Sequence, residues 1–141
     1  MTLRLPFRGA LALVLALGLV SCSDDPAGNG NGNPLLGTWQ ATSFASADMD
    51  VIADGMSLRM TLSATGSYTF TVTNDLVGIC EGQGGENCTS TGSYASTAGT
   101  VTIDDDDVDN VTFTSTINGN VMTWTGSIDG TAITIVWTRV G

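Results

Sequence analysis

The sequence predicts an all-β fold, an eight-stranded antiparallel up-and-down barrel over residues 35–141, and three observations carry that expectation. Apolar side chains recur at every second position through most of this stretch, the period of a strand with one dry and one wet face. Glycine-containing turn dipeptides fall between the alternating segments. Sustained helical periodicity is missing, and only residues 45–55 leave room for one short turn of helix or an irregular crossing.

The first strand spans Leu36 to Phe44. From Met56 the apolar positions are Met56, Leu58, Met60 and Leu62, with Ser57, Arg59, Thr61 and Ser63 between them. Thr65-Gly66 turns the chain, and Tyr68, Phe70 and Val72 then alternate with threonines, completing a hairpin. A short strand around Tyr94, a turn at Ala98-Gly99 and a strand with Val101 and Ile103 follow. Val111, Phe113 and Ile117 lead to Asn118-Gly119, a dipeptide favoured in type I′ hairpins. Met122 and Trp124 return, Asp129-Gly130 turns again, and Ile133, Ile135 and Trp137 alternate to the end. Threonine on the outer positions suits a half-exposed pleated surface. Sequential strands joined by tight turns close most simply as a barrel, which removes sheet edges. A two-sheet sandwich would need longer connections than most of these turns provide. Thr-Gly-Ser recurs at Thr65, Thr91 and Thr125 with irregular spacing and reads as repeated turn chemistry.

Upstream, Arg4 and Arg8 precede an apolar run from Gly9 to Val20, the layout of an export signal. The run is too short to span a bilayer, which takes roughly 20 residues. It ends in Leu19-Val20-Ser21-Cys22, which resembles the lipobox of bacterial lipoproteins. The resemblance implies a signal peptide at residues 1–21, cleavage before Cys22, and lipidation of the Cys22 thiol with palmitate-type acyl chains. The protein would then be held in the cell envelope through an N-terminal lipid anchor without crossing the membrane. Ser23 after the lipidated cysteine implies the outer membrane in an organism that has one. Residues 22–34, rich in glycine and asparagine, read as a flexible tether.

The chain has three cysteines. With Cys22 assigned to the lipid, Cys80 and Cys88 remain to pair in an oxidising compartment. The glycine-rich segment between them bends readily, and the chain-entropy model gives such a loop about 2–3 kcal/mol of stabilisation. A metal site is not expected, since the chain has no histidine and no further soft ligand accompanies this pair.

Net charge is −10, and removing the signal takes two of the four arginines, leaving Arg59 and Arg139 against fourteen acidic residues. That surface repels phosphate backbones, so no nucleic-acid partner is expected. It also repels anionic head groups, so membrane attachment falls to the acyl chains.

Leu36-Gly37-Thr38-Trp39 resembles the Gly-x-Trp signature that opens lipocalins and the shorter bacterial lipocalin-like domains. The Thr-Asp-Tyr motif of true lipocalins is absent, so the similarity is to the small bacterial group. It covers Leu35 to Gly141 and implies that Trp39 lies across the barrel floor, covered by Arg139 from the end of the last strand. It also implies a small hydrophobic ligand, with Trp39, Tyr68, Phe70, Trp124 and Trp137 as candidate lining. Two readings of the interior stand side by side. Large side chains could fill a short barrel, leaving a structural or protein-interaction lipoprotein that works through its surface. Adaptable methionines and aromatic walls suit a ligand pocket instead.

The run Asp104-Asp105-Asp106-Asp107-Val108-Asp109 has the alternating carboxylates that begin a calcium loop, but the rest of such a loop is missing. A solvated hairpin connection is the expected role. Absence of histidine and lysine removes His-based triads, Schiff-base chemistry and the phosphate-loop lysine. The carboxylates sit on wet loops, where they make poor general acids, so neither an enzyme nor a cofactor is expected.

Overall fold

The computed structural model describes residues 32–105 and 108–141, leaving out the side chains of 105–109. The signal segment, Cys22, the tether up to residue 31 and the middle of the aspartate run lie outside the described residues. The strands are β1 (Gly37–Ser46), β2 (Met49–Asp50), β3 (Ser57–Leu62), β4 (Ser67–Thr73), β5 (Cys88–Thr97), β6 (Thr100–Asp105), β7 (Val108–Asn118), β8 (Val121–Ile128) and β9 (Thr131–Arg139). Each pairs antiparallel with its sequence neighbour from β3 to β9, β1 pairs with β3, and a β1–β9 ladder closes the sheet. Eight strands thus form a closed barrel, and β2 is a two-residue addition folded back on β1.

Alternation places the apolar set inside. On β3 the exposed and buried residues strictly alternate, with Leu58, Met60 and Leu62 buried, and on β9 Ile133, Ile135 and Trp137 are buried in the same way. Register carries this face around the wall: Trp39 lies opposite Met60, Met60 opposite Phe70, and Phe70 opposite Ser90. Outer threonines meet in pairs, with Oγ1 atoms of Thr38 and Thr61 3.2 Å apart and those of Thr102 and Thr112 2.9 Å apart. Such cross-strand pairs stabilise a sheet by a few tenths of a kcal/mol to about 1 kcal/mol.

Several local expectations change. Residues 45–55 form no regular helix: Ala45 and Ser46 continue β1, a tight bend follows, and β2 leads into turns that hold a single helical bond, Asp54 N donating to Asp50 O at 3.2 Å. Asp50 organises them, its carboxylate accepting from Ser43 Oγ at 2.6 Å, Phe44 N at 3.0 Å and Ile52 N at 3.1 Å. The Ser43 hydroxyl, followed by the Phe44 amide, holds the Asp50 carboxyl below its ordinary acidity range. The strand around Tyr94 is ten residues long. Asn118 pairs with Val121, so the turn residues are Gly119-Asn120, and Gly119 is the left-handed one (φ 59°). That glycine-first arrangement is the type II′ pattern, in place of the expected type I′ over Asn118-Gly119. Asp129-Gly130 does take left-handed angles at both positions (φ 50° and 81°), as type I′ requires.

Thr-Gly-Ser is turn chemistry only at its first occurrence. Gly92 and Gly126 lie inside β5 and β8, where a Cβ would collide with an aromatic ring. At Gly92 it would stand 2.7 Å from the Tyr68 ring and 2.6 Å from Asp104 O; at Gly126, 2.8 Å from the Phe113 ring. A strand glycine of this kind marks close approach rather than a bend.

Candidate functional site

At one end of the barrel, here called the floor, the chain enters β1 and leaves β9. Trp39 is fully buried there, and its Nε1 donates to Leu35 O at 2.8 Å. Arg139, opposite Trp39 in the β1–β9 ladder, places its guanidinium carbon 4.3 Å from the Trp39 ring centroid. The same guanidinium donates to Leu36 O at 2.6 Å and to Pro34 O at 2.5 Å. A cation over an indole face contributes roughly 0.5–2 kcal/mol depending on desolvation. One arginine therefore ties the incoming strap, residues 34–36, to the floor tryptophan.

The remaining candidate lining residues, joined by Phe113, form a relay of ring contacts. Tyr68 and Phe70 have centroids 4.9 Å apart, Phe70 and Trp137 6.3 Å, Trp137 and Trp124 5.4 Å, and Trp124 and Phe113 5.2 Å. Trp124 and Trp137 have no exposed surface, nor do Met60 and Met122. A side chain with no accessible surface borders no void wide enough for water. Phe70 is the one candidate that keeps partial exposure. The five candidates are thus brought together, as one packed cluster.

Open space lies elsewhere. A cleft of about 480 Å³ runs at the floor end between the strap residues Pro34 and Leu35 and the β5–β6 turn, with Ser115 and Ile117 of β7 on its inner side. A second, of about 290 Å³, is lined by Leu36, Gly66, Tyr94 and Ser96 among others. The Tyr94 hydroxyl donates to Ser63 O at 2.8 Å, and burial pushes the pKa of its phenol up. None of the five candidate lining residues borders either cleft.

Three buried polar atoms have no hydrogen-bond partner among the described residues: Ser115 Oγ, Trp124 Nε1 and Trp137 Nε1. They follow one another inward. Ser115 borders the larger cleft and lies opposite Trp124 in the β7–β8 ladder, and Trp124 packs edge-on against Trp137. Sequence patterning named Ile117 only as an apolar strand position and did not single out Ser115. The available signal was a serine on the inward alternation of β7, between Phe113 and Ile117.

Cys80 and Cys88 are joined in a disulfide, with Cα atoms 5.6 Å apart. Asp75 supports the loop they close: its carboxylate accepts from Cys80 N at 2.6 Å, Gly78 N at 3.0 Å and Val77 N at 3.1 Å. Partial burial disfavours that charge, but the amides of Cys80, Val77, Ile79 and Gly78 outweigh it together and lower its pKa. No group of three or more His, Cys, Asp or Glu placed to hold a metal occurs among the described residues. Cys22 lies outside them.

The lipocalin-like domain family matches residues 35–124. Among solved structures, fatty-acid-binding protein 1 of Echinococcus granulosus is similar over 75% of this chain and 97% of its own, at 12% identity and a TM-score of 0.44. No curated protein matches the chain in sequence.

Proposed function

The chain belongs to the lipocalin-like domain family, and from that premise we propose that it is a lipid-anchored protein of the cell envelope whose barrel binds a small hydrophobic ligand bearing a hydrogen-bond acceptor. One observation carries the ligand: Ser115 Oγ, Trp124 Nε1 and Trp137 Nε1 stand unpaired along a path leading inward from a cleft of about 480 Å³. Each buried group left unpaired costs about 1–3 kcal/mol, and native structures rarely keep one without something that satisfies it. An indole N–H only donates, so the occupant needs a carbonyl, ether or carboxylate oxygen, while Pro34, Leu35 and Ile117 offer it apolar contact. The cleft falls within the roughly 300–1,000 Å³ usual for small-molecule sites. Reaching the tryptophans requires side chains to yield, and Met122, opposite both Ile117 and Trp137, is the adaptable one.

The filled-barrel reading is favoured by a different observation, the relay of rings from Tyr68 to Phe113 that occupies the interior. Native mass spectrometry of the full-length protein, extracted from its own membrane in detergent, separates the two. The ligand reading expects a bound mass of a few hundred daltons, lost in Ser115→Phe, which plugs the cleft, while the thermal midpoint stays within a few degrees. A bare polypeptide mass would establish the filled barrel instead. The anchor rests on the Leu19–Cys22 lipobox resemblance. It expects Cys22→Ser to lose palmitate labelling and leave the membrane fraction; a variant that stays there overturns it.

A further inference from the structure

Strand direction alternates around the barrel, so every second connection shares an end. The strap and the turns at 63–66, 98–99 and 119–120 lie at the floor. The segments 47–56 and 74–87 and the turn at 129–130 lie at the opposite end, the crown. The acidic side chains follow this division. Asp48, Asp54, Glu81, Glu86 and Asp129 are exposed on the crown, Asp50 and Asp75 sit in the same loops, and Asp104 is at the crown end of β6. Among the described residues the floor has no acidic side chain and carries Arg139.

Exposed apolar groups share the crown. Met49, Leu76, Val77, Ile79 and Ile128 lie there, and Val121 is the one large exposed hydrophobic described at the floor. The group at 76–79 is held outward by a built loop. The Asp75 carboxylate gathers the amides of Val77, Gly78 and Cys80, Asp75 N donates to Glu86 O at 2.8 Å, and the buried Cys80 is bonded to Cys88. The neighbouring loop abuts it, since a Cβ on Gly55 would stand 3.5 Å from Asn74 Nδ2. Clustered apolar groups rimmed by charge mark interaction surfaces.

We propose that the crown docks a cationic amphipathic polypeptide segment, whose apolar side chains cover Leu76, Val77 and Ile79 and whose lysines or arginines face Asp54, Glu81 and Glu86. Charge complementarity selects this occupant. A second copy would bring two acidic crowns together, and an anionic bilayer would be repelled in the same way. The surface lies at the end opposite the ligand cleft and does not depend on it.

A fluorescein-labelled dodecapeptide of alternating Lys and Leu, titrated by anisotropy onto the full-length protein in detergent, tests the docking. Saturable, salt-weakened binding is expected. It should fall about tenfold or more in the exposed-loop variant Leu76→Ser/Val77→Ser/Ile79→Ser and, separately, in Asp54→Asn/Glu81→Gln/Glu86→Gln. Unchanged thermal midpoints would show both variants folded. No binding overturns the proposal, as does binding that either variant leaves intact. Equal affinity for a Lys–Ser peptide would reduce it to bulk charge, and equal affinity for a Glu–Leu peptide to bulk hydrophobicity. Concentration-dependent dimerisation abolished by the loop variant would assign the surface to a second copy instead.

Discussion

The barrel is built from two unlike walls. On β9 every inward side chain from Ile133 to Trp137 is buried, and β8 adds Met122 and Trp124 beside it. On β5 the inward residues are Cys88, Ser90, Gly92 and Tyr94, and none of them is fully buried. A small closed barrel has room for few large side chains, so volume supplied from one wall obliges another to stay thin. Gly92 shows how thin β5 is, because the Tyr68 ring of the neighbouring β4 and the Asp104 carbonyl oxygen both lie where its Cβ would be. The thin wall is stabilised by other means: a disulfide at its start and a Tyr94 hydroxyl bond to Ser63 toward its end.

Removing volume from the thick wall has the largest expected effect. Trp124→Ala should destabilise the protein by about 3–5 kcal/mol in urea unfolding, as large aromatic truncations in cores do. Trp124 stacks on Phe113 and packs edge-on against Trp137, so its removal strips a ring contact from each. A loss under about 1 kcal/mol would mean that the interior collapses freely and that the walls do not differ as described.

Next in size is the covalent support of the thin wall. Cys80→Ser/Cys88→Ser should cost about 2–3 kcal/mol, the loop-closure contribution for a separation of 8 residues. If the variant unfolds at the wild-type urea midpoint, β5 does not depend on its staple.

Gly92→Ala tests the thinness itself and should cost about 1–3 kcal/mol by overpacking. Pairing it with Tyr68→Leu should recover part of that loss, because the two changes compete for one space and cannot be additive. Additive costs in the double variant would show that Gly92 is small for some reason other than the Tyr68 ring.

Much of this was legible in the sequence. Alternation at Leu58, Met60 and Leu62 and at Ile133, Ile135 and Trp137 located strands and their dry faces, because period two is a local property. The Gly-x-Trp resemblance anticipated an arginine over Trp39. The thin wall was harder to read, since Thr91-Gly92-Ser93 is locally indistinguishable from a turn until Tyr68 arrives from another strand. Asp50 and Asp75 escaped for a similar reason: their partners are amides whose directions are set only after the loop has folded. The cleft at Ser115 and the acidic crown depend on strand direction around a closed sheet, which no window along the chain contains.

The smallest expected effect concerns pH and the loop that feeds the thin wall. The Asp75 carboxyl is held below its unfolded-state pKa, which lies near 3.8. A carboxyl with a depressed folded pKa contributes its stabilisation in full above the unfolded value and loses it as pH falls through the folded one. Stability should therefore decline on acidification below about pH 4, and Asp75→Asn should show a shallower decline over that interval. Water screens much of the charge, so this difference should be the least of the four. Asp50, lowered by Ser43 and Phe44, adds a decline of the same sign in both proteins, which is why the comparison of slopes matters more than either slope alone. Thermal midpoints of the two proteins measured from pH 7 to pH 2 decide it. Parallel curves would show that the Asp75 charge does not support the loop, and that the thin wall relies on the disulfide without it.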